Sequence, residues 1–460
     1  MTLISEKCNA IKSPQIDNAV KLMALQSWLI NTNYTKILLK SSNSQLALSI
    51  EILSKNLEID FEWIKLKKKS SKLGFIRRFY QKLPLTIQSL ITLFKIIILR
   101  WPLKGEGVKN WKNSNASITI FSFLFNLSSE SVEKASFKST HWGGLPEQFK
   151  LNNISTNWLH LYNPDKSLPS AKLAKNLIHK FNKNKSKKQL HVTLDSFWSF
   201  KVIITVLNDW IFLLKSNLKI KSHIIKESDF LWPIIKDDYN FSMVGPVSID
   251  NLINLNLFQH ALSCLPKQQK GFYLQENQGW EYGLINSWRE SKHSSNLFAI
   301  PHSTIRYWDL RYFFDKRSYN VDNNRCSLPL PDYVGVNGES AKKMLRLAGY
   351  PNEKLIEVEA LRYQYLDEVK NPKEKNNHNV LVLGGKNIKK QIKLLASSDS
   401  FLHESLKFIV KSDSWNPIKL NDYQKNRMTL TTETMPELLN KYNVVYTDNI
   451  TSAAVDAYCA

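Results

Sequence analysis

Short apolar runs that stop abruptly at polar residues, each followed by apolar residues at helical spacing, constrain the fold of this chain more than any other feature. The stretch from Gly271 to Arg311 carries the pattern in full. Phe272-Tyr273-Leu274 stops at Gln275-Glu276-Asn277-Gln278, and Trp280, Leu284, Ile285 and Trp288 then recur at three- and four-residue spacing. That spacing sets them on one face of a helix. Leu297-Phe298-Ala299-Ile300 follows and stops at Pro301-His302-Ser303-Thr304. Strand, helix and strand make a βαβ unit. In open sheets of that kind ligands bind beyond the carboxyl ends of the strands, where both polar clusters fall.

The rhythm recurs on either side. Ile37 to Leu39 reads as a strand, followed by a helix that Ser44 caps and that faces inward with Leu46, Ile50, Leu53 and Leu57. Strands are expected at Ile118 to Leu124 and Trp158 to Tyr162, and helices at 170–182, 198–215 and 249–263. Pro329-Leu330-Pro331 reads as a hinge, since proline excludes helix. Beyond it Tyr333 to Val336, Leu355 to Val358, Val380 to Leu383, Phe408 to Val410 and Val444 to Tyr446 read as further strands. The expectation is an α/β chain, GT-B-like, of two Rossmann-like domains facing an interdomain cleft: an acceptor-side domain at 1–328 and a nucleotide-side domain at 329–460.

Residues 65–104 break the rhythm. Lys65, Lys67, Lys68, Lys69, Lys72, Arg77, Arg78 and Lys82 lead into a mixed apolar segment that ends at Arg100-Trp101. Thr86, Gln88, Ser89, Thr92 and Lys95 interrupt it, which argues against a helix crossing a bilayer. A basic flank beside such a segment suits an anionic membrane surface; an insertion packed onto the first domain, with a solvated lysine run, is the other reading. The whole chain is basic, with 63 Lys and Arg against 40 Asp and Glu and a net charge of +23. Such a field favours an anionic partner, although a merely solvated basic surface fits it too. Four scattered cysteines signal neither zinc nor disulfides. The first residues lack the apolar core of a signal peptide, so a cytoplasmic protein is expected. Glycine-rich nucleotide loops, HExxH and nucleic-acid signatures are absent from the sequence, so the reading expects no metal, no cofactor and no nucleic-acid partner.

The polar strand ends supply the candidate site. Glu276 or Glu281 can serve as general base on an acceptor hydroxyl, or each can cap the helix that follows. Asn277 and Gln278 lie beside them to hold substrate. His302 and Ser303 end the next strand, where the histidine either donates to a phosphate or is structural. Arg306 and Arg311 offer bidentate pairing to phosphate or carboxylate, or form surface ion pairs. Asn337-Gly338 and Thr451-Ser452 each lie between a strand and a helix, at positions suited to phosphate or to ordinary capping. Glu359 and Arg362 follow a strand as a cleft-facing pair or a buried ion pair.

Several of these segments, taken in order, resemble a known family. They are His141-Trp142-Gly143-Gly144-Leu145-Pro146, Trp158-Leu159-His160-Leu161, Glu276-Asn277-Gln278-Gly279-Trp280-Glu281, Pro301-His302-Ser303, Pro331-Asp332 to Asn337-Gly338, Glu359-Ala360-Leu361-Arg362-Tyr363 and Thr451-Ser452-Ala453. Over roughly residues 115–460 the chain is similar to bacterial surface-carbohydrate (polysaccharide and lipopolysaccharide) biosynthesis proteins with GT-B-like domains, and in its second half to Kdo- and sialic-acid-type glycosyltransferases. The resemblance implies a glycosyltransferase, peripheral at the inner face of the membrane. It would take an activated sugar, CMP-linked and acidic in the nearest cases, and use a nucleotide-sugar donor and a glycan or lipid-linked acceptor without a metal. A non-catalytic glycan-binding or scaffold protein of the same pathway is the alternative. The nucleotide-holding segment corresponds by position to Lys411-Ser412-Asp413-Ser414, which lacks the family's histidine and prolines; the later hydroxyl pair fits Thr451-Ser452. The helix begun at Ala453 stops at Ala460, so the resemblance also implies a truncated or degenerate second domain.

Overall fold

The computed structural model describes residues 12–67, 74–125, 127, 129–139, 141–184, 188–291, 293, 296–301, 310–313, 328–369, 376–385, 388–398, 405–412, 417–447 and 453–460. The chain divides into two compact units. The first takes in 1–138, 147–301 and 305–359, and the second 139–146, 302–304 and 360–460.

The first residues build a small layer of their own. Helix α1 (Gln15–Ile30) is followed by β1 (Lys36–Ser41), α2 (Ser44–Asn56) and β2 (Asp60–Lys65), and the two strands pair in parallel as a separate two-stranded sheet. The predicted strand is therefore present, but it does not begin the main sheet. Asn43, one residue before the expected cap, accepts from the backbone N–H groups of Gln45 and Leu46 at 3.0 and 3.2 Å. Its short amide satisfies two of the donors that a helix start leaves open. Two further helices follow, α3 (Phe75–Lys82) and α4 (Leu85–Arg100).

Next comes the main sheet, with β3 (Ile118–Leu124), β4 (Thr156–Tyr162), α5 (Ala171–Lys183) and β5 (Gln189–Thr193). The chain continues through α6 (Phe200–Glu227), α7 (Trp232–Met243), α8 (Pro246–Ser263), β6 (Lys270–Gln275), α9 (Gly279–Glu290) and β7 (Asn296–Pro301). It closes with β8 (Tyr333–Val336), α10 (Glu339–Leu347) and β9 (Leu355–Glu357). Among the described residues these strands form one seven-stranded parallel sheet in the order β5-β4-β3-β6-β7-β8-β9. The chain winds outward from β3 to β5, returns beside β3, and winds the other way from β6. This is the doubly wound arrangement of dinucleotide-binding folds, whose crevice opens where the direction reverses.

Helices on both faces explain why β3 and β4 read as near-continuous apolar runs. Phe121 stands at the centre of the core, in register with Leu159 on one side and Tyr273 on the other. Its ring meets Trp288 edge-on at 5.8 Å, and Trp111, Phe258 and Leu284 bury themselves around it.

Two expectations change here. Tyr333–Val336 pairs with β7 and Leu355–Glu357 with β8, so the first unit runs on to residue 359 instead of ending at 328. The proline segment at 329–331 leads into a strand of the same sheet. The segment Leu85–Leu103 is long and apolar enough to cross a membrane by length and composition alone. Yet one side of it belongs to the fold: Leu93 and Ser89 are buried, and the Ser89 hydroxyl donates to the Val244 carbonyl at 2.8 Å. Its other side exposes Ile87, Ile91, Phe94 and Ile98 at helical spacing.

The second unit carries β10 (Asn376–Gly384), α11 (Ile388–Ala396), β11 (Lys407–Ser412), β12 (Met428–Leu430), α12 (Met435–Lys441) and β13 (Tyr442–Thr447). Its described strands are parallel, in the order β12-β11-β10-β13. The winding from β10 again reverses beside the first strand. Val382, Phe408 and Val410 fill one face with Ile388, and Leu381 and Leu383 fill the other with Leu438 and Leu439.

Candidate functional site

The reversal between β3 and β6 opens a cleft of about 200 Å³ in the first unit. Its walls are the carboxyl ends of the strands: Phe123 and Phe125 at the end of β3, Tyr162 and Asn163 at the end of β4, Asp195 after β5, and Glu276 and Gln278 after β6. Asp250 and Asn254 of α8 and Arg100 at the end of α4 complete the lining.

Two acid–arginine pairs occupy this region. The Arg100 guanidinium lies 3.7 Å from Asp195 Oδ1 and donates to Asn163 Oδ1 at 3.3 Å. Asp195 also accepts from the Trp198 indole at 3.1 Å. Burial pushes the Asp195 carboxyl up, and Arg100 pulls it back. Arg100 is partly exposed where Asp195 is not, so the buried acid fixes the guanidinium while leaving donors toward the cleft. The second pair is Glu276 with Arg311, 3.9 Å apart. Arg311 is buried, whereas the Glu276 side chain keeps about a quarter of its surface open, at 24%. Of the two carboxylates expected to act as base, Glu276 is the one that lines the cleft.

The loop that holds Glu276 is built by Glu281. Its Oε1 accepts from the backbone N–H groups of Glu276 and Gln278, each at 2.9 Å, and Gln278 and Glu281 form a capping box at the start of α9. Asn277 adopts a left-handed backbone, φ 53°, a region that asparagine enters more readily than most residues. Its amide oxygen accepts from Gln275 Nε2 at 3.1 Å. Glu281 is 1% exposed, and its other oxygen has no hydrogen-bond partner among the described residues. Burial above all, with Glu276 adding to it, pushes its carboxyl up to about 8, against the pull of the backbone N–H groups. The carboxylate read as a possible base thus sits as the buried cap that shapes the β6–α9 turn. Gly279 completes the turn: a Cβ there would lie 2.2 Å from Asn251 Oδ1 of α8.

The other expected residues are placed as follows. Asn337 and Gly338 follow β8 in the first unit, exposed, with Gly338 at φ 148°. Glu359 is exposed at the end of that unit. His302, Ser303, Arg306, Thr451 and Ser452, and the side chain of Arg362, lie outside the described residues. Lys411 ends β11, and its ammonium donates to the Glu433 carbonyl. Burial lowers its pKa, opposed by Glu437 and Glu433.

His160 belongs to the core. Its Nε2 shares a hydrogen bond with His191 Nδ1 at 3.0 Å, the two rings being nearly parallel, and burial pushes His160 down to about 3. Residues 141–146 meet the turn that begins at Leu361: the Gly144 N–H donates to Gln364 Oε1 at 2.8 Å, one residue beyond the segment Glu359 to Tyr363.

Sequence reasoning missed Arg100, Asp195, Asp250 and Asn254. Asp195 follows a strand, as Glu276 does, and that signal was available. Arg100 reads as the end of an apolar segment, and only the packing of α4 brings it to the cleft. Among the described residues no group of three or more His, Cys, Asp or Glu side chains is arranged to hold a metal.

With two all-parallel, doubly wound sheets, the chain is an α/β protein of two Rossmann-like units, as a GT-B-like chain is expected to be. No protein-family model and no curated protein matches it. Among solved structures, the apo form of the lipopolysaccharide outer core galactosyltransferase WaaB aligns over 71% of this chain and 72% of its own, at 10% identity and a TM-score of 0.35. Anabaena Alr3699/HepE in complex with UDP and glucose aligns over 75% and 78%, also at 10% and 0.35. A UDP-N-acetylglucosamine 2-epimerase aligns over 73% and 74%, at 9% and 0.32. Likeness of this degree assigns no activity.

Proposed function

We propose that the chain is a glycosyltransferase of surface-polysaccharide assembly, moving a sugar from a nucleotide-sugar donor to a glycan or lipid-linked acceptor. The observation that carries this reading is the cleft at the winding reversal, where an accessible carboxylate, Glu276, pairs with the buried Arg311 and shares the lining with Arg100, itself held by the buried Asp195. Glu276 takes the proton of the acceptor hydroxyl. The hydroxyl oxygen bonds to the anomeric carbon as the bond from that carbon to the donor phosphate breaks, and the nucleotide leaves with the electron pair. Arg100 and Arg311 balance the charge around the reacting groups, so the work is positioning and electrostatics. His302 and Arg306 are assigned to the leaving phosphate or to a sugar carboxylate. Lys411, Thr451 and Ser452 are assigned to the nucleotide, which enters as substrate and not as a cofactor.

The sequence resemblance favours a CMP-linked acidic sugar, while the missing histidine near Lys411 weakens that choice. We place the protein in the cytoplasm, peripheral at the inner membrane face, because α4 exposes an apolar stripe beside basic side chains. Incubation with CMP-, UDP- and GDP-sugars, following nucleotide release, tests the reading. Release from one donor is expected, with Glu276→Gln slowing it by about 10²–10⁴-fold. Folded protein that neither binds nor turns over any donor overturns it. Sugar binding without nucleotide binding would point instead to a glycan-binding protein.

A further inference from the structure

A second, larger hollow of about 1110 Å³ lies in the first unit between α3, α4 and the segment that leads into α5. Its walls are largely apolar, with Phe75, Ile76, Ile91, Ile96, Leu99 and Pro164 among them, and Arg77, Lys95 and Arg100 also line it. Phe75, Ile76 and Leu99 are 79%, 83% and 54% exposed. Large apolar side chains left so open, rimmed by cations, mark a surface built to be covered. Arg100 and Tyr162 line this groove and the candidate cleft alike, so the two hollows meet at one arginine.

We propose that the groove holds the hydrocarbon chain of a phosphate-bearing lipid acceptor, with the phosphate at Lys95, Arg77 and Arg100 and the sugar head group beyond Arg100 in the cleft. The assignment rests on the transferase reading for the chemistry of the head group and deepens it by naming the acceptor class. Three features select this occupant. A hydrocarbon chain fits an open, largely apolar hollow of this volume; the cations lining it complement a phosphate anion; and the shared arginine places charge where the lipid ends and the reacting head begins. Arg100 is held by Asp195, so it is already oriented when the phosphate arrives. Guanidinium suits that position because its planar fork matches phosphate oxygens.

The test is calorimetric binding of dodecyl phosphate, kept below its micelle concentration, with inorganic phosphate and dodecyl maltoside as the other probes. Saturable binding of dodecyl phosphate is expected, undisturbed by an equal concentration of inorganic phosphate and stronger than that of the maltoside. Leu99→Asp and Ile76→Asp, both at exposed positions, should weaken it at least tenfold. Lys95→Ala should weaken dodecyl phosphate binding more than maltoside binding. Absence of saturable binding, binding unchanged by Leu99→Asp, full displacement by inorganic phosphate, or a groove closed by self-association in sedimentation would each overturn the proposal. The assay contains no donor, so its outcome separates from that of the transferase reading. Nucleotide release without dodecyl phosphate binding removes the groove alone; binding without any donor turnover removes the transferase and leaves a lipid-binding groove.

Discussion

At the scale of single residues, Glu281 has the clearest consequence. Its carboxyl is raised from an ordinary 4.5 to about 8 by burial. Between those values the folded protein retains a proton that the unfolded chain has released. The stability this proton represents is full below about pH 4.5 and is lost as pH rises through about 8. Glu281→Gln keeps an oxygen for the two loop N–H groups and removes the titration. Denaturant unfolding across that range should show the wild type losing up to about 1.4 kcal/mol per pH unit relative to the variant. A constant difference between the two proteins would refute the assignment. Whether Glu276 or Glu281 faces the cleft was not legible in the sequence. Both carboxylates follow the same strand, and the choice depends on the left-handed turn at Asn277.

Among elements, the turn at Gly143 and Gly144 makes a sharp comparison. Gly143 has φ +49°, and a Cβ there would lie 2.5 Å from the Leu361 carbonyl and 2.3 Å from Gln364 Oε1; at Gly144 the nearest atom would be 3.5 Å away. Gly143→Ala should therefore destabilise the second unit by about 1–3 kcal/mol, while Gly144→Ala stays near neutral. Exchange of the Leu361–Gln364 amides reads the difference, and equal effects of the two substitutions would remove the contact from the account. Strands and helices themselves were largely legible, because apolar runs covered on both faces leave a continuous signal in the sequence. Sheet membership was not. Ile37 to Leu39 looks like the strands of the main sheet but, among the described residues, pairs with β2 in a separate sheet, and Tyr333–Val336 lies beyond a proline segment that reads as a boundary. Pairing partners are fixed by long-range packing, which local periodicity does not encode.

For the whole molecule, charge and exposed apolar surface act together. On the membrane placement proposed above, a net charge of +23 would draw the protein toward anionic bilayers, and Phe94 and Ile98, 61% and 71% exposed, would then enter the interface. Flotation with phosphatidylglycerol vesicles should be strong at 0.1 M salt and largely lost at 1 M, where the screening length falls to about 3 Å. Phe94→Glu with Ile98→Glu should abolish it even at low salt. Point changes suit this test better than removal of 65–104, since buried Leu93 and Ser89 would leave with the segment. Retained flotation in the double variant would refute the membrane face. The sequence suggested this surface through its basic flank, but it did not show that the same helix delivers Arg100 to a cleft.

The hydrogen bond from Gly144 to Gln364 joins residues 220 positions apart, and that separation matters during synthesis. At about 5–20 residues per second, the early segment waits about 10–45 s on the ribosome for its partner. Gly143 and Gly144 spend that interval without the Leu361 carbonyl and the Gln364 side chain that pack against them in the finished protein. A fragment starting at residue 360 would never receive the early segment at all. The second unit, although formed mostly from residues 360–460, is thus completed by a piece, 139–146, translated more than two hundred residues earlier.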